Sequence, residues 1–310
     1  MTTTIGIAGI SGKFARLLAN ALLTYPEARI RGLCRSPSKV PASVSSSPQV
    51  QVVQGDAFDA DALHAFVKGC DVVVCCYLGD DRVMIDGQEL LINVCEEEGV
   101  PRYVASDWAL DYTKLQLGEL FPKDPMIHVK AHLDAKKNIK GVHILTGGFL
   151  EVLFSPVFGV WDPQNTTFRY WGTGNEVWEG TTYKNSAEYT AAVCLDSAAV
   201  GVLRFLGACS TTHEIAATYE KVYGIKPKTE CLGSLEELYE QMHRLRKNEP
   251  ENVYSYMFKF YTYYLLSGRV SVGPNLDNDK YPQVKVVTFE DLFKSVPREE
   301  LSQLFVKAGQ

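Results

Sequence analysis

The stretch from Thr4 to Ala15 restricts what this chain can fold into more than any other. An apolar run suited to a buried strand, Ile5 to Ala8, meets a glycine turn. The turn leads directly into Phe14, Leu17, Leu18, Ala21 and Leu22 at helical spacing. Strand, tight glycine turn and helix is the geometry that sets a phosphate on a helix N-terminus, where free N–H groups and the positive end of the helix dipole meet. Gly9 allows the sharp turn, Gly12 lets backbone approach a pyrophosphate, and Ala15 permits close helix–strand packing. Ser11, Lys13 and Phe14 complete the turn, with Lys13 adding a positive charge. Since glycine is also the default turn residue, the rest of the chain has to supply the context.

That context is a repeated strand–helix alternation. Apolar runs at 28–34, 50–53, 71–76, 102–105 and 142–146 are separated by helical patterns, near 60–67, 84–98 and 125–139. This order predicts an α/β fold, a Rossmann-type doubly wound parallel sheet, with a smaller mixed C-terminal lobe. We place a nucleotide-binding domain at 1–155 and a substrate lobe at 156–310, partly interleaved with the main sheet. Beyond residue 157 aromatics, glycines and turn residues dominate, then helices are expected near 186–195 and 253–267 and short strands near 200–205 and 228–231.

The second strand ends at Arg35, with Lys39 close behind and no acidic residue between 28 and 39. An acidic side chain here reads the free ribose 2′-hydroxyl of NAD, and a forked guanidinium fits the 2′-phosphate of NADP(H). Asp56 and Ala57 follow the third strand, at the adenine edge. The carboxyl ends of the later strands bring Tyr77 and Leu78, Ser106, and Gly147, Gly148 and Phe149 to the ligand side of the sheet. Trp108, Phe149, Leu150, Trp171 and Tyr183 are the candidate substrate pocket. Asp107 and Lys130 are the candidate catalytic residues. Asp107 is placed to accept a proton or hold a substrate nitrogen, against the commoner role of a helix cap. Lys130, which also binds cofactor, can hydrogen-bond ribose hydroxyls and stabilise developing negative charge, against the reading of a surface lysine on a lysine-rich helix.

Other chemistries fit less well. A net charge of −6 without a long basic run argues against nucleic acid. No apolar run approaches a membrane span, and no secretory signal precedes the first strand, which together predict a cytoplasmic protein. Eight cysteines show no C-x-x-C pair, and several, the vicinal Cys75–Cys76 pair included, read as small buried hydrophobes in a reducing compartment. His128 and His132 share a helical face, but Val129 replaces the glutamate of H-E-x-x-H and no third ligand is evident, so no metal is expected. Tyr281 and Lys285 match Y-x-x-x-K by chance, and no G-x-S-x-G elbow marks a hydrolase. The partner is a small molecule, and the protein a monomer or homodimer.

The order of these features resembles the NmrA-like and isoflavone-reductase-like branch of the atypical short-chain dehydrogenases/reductases. The likeness rests on Gly9 to Ala15, Arg35, Ser106-Asp107-Trp108, the helix His128-Val129-Lys130-Ala131-His132 and the turn Gly147-Gly148-Phe149-Leu150. It implies NADPH binding, an extended Rossmann fold, and reduction of a C=C, C=O or C=N bond. Fungal members of the group act on polycyclic or alkaloid secondary metabolites, in some pathways setting up a cyclisation. In its reductases a lysine on the helix is catalytic, and Lys130 matches it by position. The sequence departs from the group at Ala15 and at Ile127-His128-Val129, where aromatic and acidic residues are usual. Two other readings stay open: an NADP(H)-binding redox sensor that regulates a partner without turnover, and a cyclase that keeps the cofactor for a coupled or structural role.

Overall fold

A computed structural model describes residues 2–308. Its strands are β1 (Thr3–Ala8), β2 (Ala28–Cys34), β3 (Val50–Gln54), β4 (Val72–Cys75), β5 (Arg102–Val104), β6 (Lys140–Leu145), β7 (Gly148–Phe149), β8 (Trp161–Asp162), β9 (Thr167–Tyr170), β10 (Val177–Thr181), β11 (Gly201–Arg204), β12 (Ala208–Thr211) and β13 (Lys228–Cys231). The helices are α1 (Lys13–Leu22), α2 (Ala42–Ser45), α3 (Ala60–Val67), α4 (Gln88–Glu97), α5 (Asp124–Asp134), α6 (Leu150–Leu153), α7 (Tyr183–Leu195), α8 (Thr212–Tyr223), α9 (Leu235–Asn248), α10 (Val253–Leu266), α11 (Phe289–Ser295) and α12 (Leu304–Lys307).

Seven strands form one parallel sheet in the order β11-β6-β5-β4-β1-β2-β3. The chain leaves β1 toward β2 and β3, then crosses back to β4 on the other side. That reversal opens a crevice at the carboxyl ends of β1 and β4, the place where nucleotides bind in such sheets. Ile5 and Ile7 of β1 and Val72 to Cys75 of β4 are completely buried, as strands covered on both faces must be. One core packs α1 and α7 on one face, and a second packs α3, α4 and α5 on the other.

The second half of the chain is not separate from this sheet. β11 pairs in parallel with β6, and α7 lies against α1. The lobe itself holds two three-stranded sheets, β12-β10-β7 and β13-β9-β8, closed by α8, α10 and α11.

Two local expectations shift. The helix expected over 125–139 stops at Asp134, because Glu96 takes the backbone N–H groups of Lys137 and Asn138 and pairs with Lys136 at 3.2 Å. The helix expected from Met84 begins as a π-helical segment, Arg82–Gly87, before α4. Its junction is held by the buried amide of Gln88, which donates to the Met84 carbonyl and accepts from the Ser106 N–H. The segment 285–287 pairs with no strand, since the Asn185 side chain bonds the Lys285 carbonyl and the Val287 N–H in a neighbour's place. Tyr281 of the chance Y-x-x-x-K match is buried and donates to Asp196.

Arg102 locks lobe to sheet. It is buried on β5 and donates to the carbonyls of Val193, Cys194 and Asp196, at the C-terminus of α7. A guanidinium there satisfies carbonyls that the helix leaves unpaired and faces the negative end of its dipole. Arg102→Met keeps the stem but strands those carbonyls. It is expected to lower stability by roughly 3 kcal/mol in chemical denaturation, whereas a loss under 1 kcal/mol would mean that water replaces the guanidinium.

Candidate functional site

The crevice is built first by Gly9. Its φ of +80° is open to few residues but glycine, and a Cβ there would stand 3.0 Å from the Cys76 carbonyl oxygen as the chain leaves β4. The N–H groups of Gly9 and Ile10 donate to the Leu33 carbonyl, so the turn is fastened to β2 as well. Gly12 is the N-cap of α1, and no side chain caps this helix. Asp59, Thr182, Thr211, Ser234 and Thr288 do cap α3, α7, α8, α9 and α11. The first backbone bond of α1 runs from Arg16 to Gly12, which leaves Lys13, Phe14 and Ala15 without an intrahelical acceptor. No acidic residue lies in the first turn. The cradle that a Cβ would fill and the uncapped N-terminus both fit a dinucleotide pyrophosphate.

Arg35 and Lys39 are exposed at the carboxyl end of β2, and neither side chain has a hydrogen bond or ion pair among the described residues. Asp56 uses one carboxylate oxygen to accept from the Phe58 N–H at 2.8 Å, which shapes the turn after β3. Ala57 lies against Gly87. Ser106 is buried and donates to the Tyr77 carbonyl at 2.8 Å, tying the ends of β4 and β5 together. The Tyr77 hydroxyl is buried without a partner, and its neighbour Leu78 is 93 % exposed, an apolar side chain held out beside the crevice.

Aromatic side chains form a row across the site. Phe14 lies 3.9 Å from Trp108 and 6.2 Å from Phe149, and Phe149 stacks on Tyr183 with centroids 3.8 Å apart. Trp108 holds a left-handed φ of +35°, uncommon outside glycine, and its indole N–H donates to Thr190 at 2.8 Å. The glycine pair before Phe149 allows close approach, since a Cβ on Gly147 would stand 2.5 Å from the Glu179 carbonyl oxygen.

Several expected site residues sit differently from the sequence reading. Lys13 does not reach back over the turn. Its ammonium donates to the Phe305 carbonyl and lies 4.0 Å over the Phe305 ring, and burial lowers its pKa. The Asp107 carboxylate is buried and bonded to Tyr112 at 3.0 Å and His143 at 2.8 Å, so it is turned into the protein. Lys130 pairs with Asp134 one turn along α5 at 2.6 Å. Leu150 is buried in the lobe core beside Gly180, not on a pocket wall. Trp171 belongs to a second cavity farther into the lobe. Among the described residues no cluster of His, Cys, Asp or Glu has the makings of a metal site, and His132 is bonded to Asn93.

Glu151 was not singled out from the sequence. Its carboxylate is buried beside the stacked pair and accepts from the Tyr183 N–H with both oxygens, at 3.0 and 3.1 Å. Burial raises its pKa to about 7, partly opposed by that N–H and by the Lys13 charge. The signal that would have found it is the lone acid in the apolar run from Phe149 to Phe154.

Because the folded protein holds the Glu151 proton to higher pH than the unfolded chain, this group's contribution is intact below the ordinary value of 4.5 and is lost as pH rises to about 7. The loss across that window is roughly 3 kcal/mol. Glu151→Gln keeps an acceptor for Tyr183 and cannot ionise. The stability difference between wild type and variant, followed by denaturation from pH 4 to pH 8, is expected to move in the variant's favour as pH rises. A difference constant with pH would show that Glu151 titrates normally.

Comparison with known proteins agrees with this geometry. Residues 9–141 match the NAD(P)H-binding protein family. A curated relative, the oxidoreductase claK of Passalora fulva, is 30% identical over 106 residues, which span 31% of this chain and 39% of that protein. The fold is shared with AtPrR2 solved with NADP+ and (+)pinoresinol (TM-score 0.80, 18% identity, 95% of this chain and 99% of that one). It is shared also with an isoflavone reductase (TM-score 0.79, 18% identity, 95% and 99%). A leucoanthocyanidin reductase from Vitis vinifera, solved with NADPH, gives a TM-score of 0.74 at 17% identity over 94% and 98%. Among the described residues no helix is long and apolar enough to cross a membrane.

Proposed function

We propose that this chain, whose residues 9–141 match the NAD(P)H-binding family, is an NADP(H)-dependent oxidoreductase acting on a C=N, C=C or C=O bond of a small polycyclic metabolite. The observation that carries the reading is the uncapped glycine N-terminus of α1 with two unpaired cations, Arg35 and Lys39, at the end of the neighbouring strand. Those groups match the pyrophosphate and the 2′-phosphate respectively.

The nicotinamide supplies the hydride when bound. The chain supplies everything around it. Phe149 and Tyr183 form an apolar wall that keeps water from the reacting carbon and orients a flat substrate. Glu151, whose pKa burial raises to about 7, is placed to give or take a proton as the substrate is reduced or oxidised. Lys13 stabilises the ionised form of that carboxylate. Lys130 is assigned to holding the cofactor or stabilising charge on the α5 side. Asp107 is a positioning residue, since through Tyr112 and His143 it holds the loop that carries Ser106 and Trp108.

NADPH carrying deuterium at nicotinamide C4, offered with a panel of cyclic imines, enones and ketones, is expected to leave its label on a product carbon. Tight NADPH binding with no labelled product from any of the three classes would replace this reading with that of a redox sensor. Arg35→Ala is expected to weaken NADPH at least tenfold while leaving NADH nearly unchanged, and an unaltered preference would remove the 2′-phosphate from this loop. Lys130→Ala is expected to lower kcat about tenfold or more, and wild-type turnover would make the lysine structural.

A further inference from the structure

The lobe contains a cavity of about 390 Å3, away from the residues so far assigned to the cofactor. That size is within the roughly 300–1,000 Å3 of small-molecule pockets. One wall is a single face of α10, where Ser255, Phe258, Lys259 and Thr262 follow at helical spacing. The facing wall carries Arg169 and Trp171, and Phe158 packs edge-on against Phe258 at 5.4 Å. Val157, Leu232 and Tyr254 stand at the cavity 51 %, 40 % and 78 % exposed, three large apolar side chains left to solvent around one opening. The lining thus mixes aromatic and apolar side chains with polar ones.

Its polar groups are of both signs, and the one carboxylate, Glu230, is taken by Arg169. Arg169 is already neutralised, bonded to Asp162 at 2.7 Å and to Glu230 at 2.8 Å. The Thr262 hydroxyl donates to the Phe258 carbonyl. Two donors remain. Lys259 is half-buried with no hydrogen bond or ion pair among the described residues, its ammonium 5.8 Å from the Trp171 ring. Burial pulls its pKa below the ordinary lysine value, and no carboxylate offsets the shift. The Ser255 hydroxyl, one helical turn before it, is buried without a partner. A half-buried cation and an orphaned hydroxyl on one face call for an acceptor that the protein does not provide. Another cavity, of about 440 Å3, lacks this feature, because its carboxylate, Glu179, is engaged by Ser271, Val272 and Gly273.

We propose that the lobe cavity binds the aromatic part of the substrate through a carboxylate held by Lys259 and Ser255, with the ring system against Trp171, Phe158 and Phe258. Lys259 is then the specificity-determining residue, and the substrate class is an aromatic carboxylic acid. The word substrate rests on the oxidoreductase reading, and the binding site does not.

The test compares 1-naphthoate with its neutral isostere 1-naphthamide by calorimetry on the full chain, with and without saturating NADPH. Naphthoate is expected to bind at least tenfold more tightly. In Lys259→Met that preference disappears while naphthamide and NADPH bind as in the wild type, and Lys259→Arg restores it. Ser255→Ala reduces the preference two- to threefold. Equal affinity for the two probes, binding of neither, or a preference that survives Lys259→Met would each overturn the proposal. NADPH affinity is read in the same titrations, so a failed naphthoate site with intact NADPH binding leaves the oxidoreductase reading standing. A functioning naphthoate site in a protein that transfers no hydride supports the binding proposal and removes the oxidoreductase reading alone.

Discussion

The left-handed turn at Gly9 is the constraint from which the rest of the site follows. The turn is wedged between two backbone carbonyls, that of Leu33 on β2, which accepts its N–H groups, and that of Cys76, which leaves no room for a Cβ. Because β1 is central in the sheet, this one turn meets both the β2 edge and the β4 edge. The N-terminus of α1 therefore opens at the crevice between them, with its N–H groups free. A side-chain cap like those on α7 or α8 would satisfy one of those donors and close the site to a phosphate.

The lobe is placed against this crevice by polar contacts in otherwise apolar surroundings. Arg102 ties the end of α7 to β5, and Asn185 of α7 takes up the extended segment around Lys285 to Val287. Trp108 reaches Thr190 on the same helix. Helix α7 thus carries Tyr183, at its first turn, to the stack with Phe149. The left-handed backbone at Trp108 is strain held by that packing, and it falls where the loop after β5 meets the site.

Burial then sets the chemistry. Glu151 and Lys13 are both pushed toward their neutral forms by desolvation, and each partly restores the charge of the other. Desolvation outweighs that mutual attraction for both, raising Glu151 to about 7 and lowering Lys13 from its ordinary value. In the lobe cavity the same desolvation acts on Lys259, which has no ion pair among the described residues, because the cavity's Glu230 is taken by Arg169. The two sites differ in that a carboxylate partly offsets the shift of Lys13 and none offsets that of Lys259.

The parallel sheet, the glycine cradle and the free Arg35 were legible in the sequence, because each depends on local pattern: apolar runs of strand length, glycines at a strand–helix junction, and a basic residue at the next strand end. The direction of individual side chains was not. Asp107 follows a strand at the ligand edge, yet its carboxylate is drawn inward by Tyr112 and by His143 from β6, a partner 36 residues away. Lys13 lies in the turn but is claimed by Phe305, 292 residues on. Neither Glu151 nor Lys259 was singled out from the sequence; the fold buries one beside an aromatic stack and half-buries the other in a cavity. Periodicity along the chain determines which elements form and in what order. Desolvation and pairing, which decide what a charged group can do, arise only when distant segments meet.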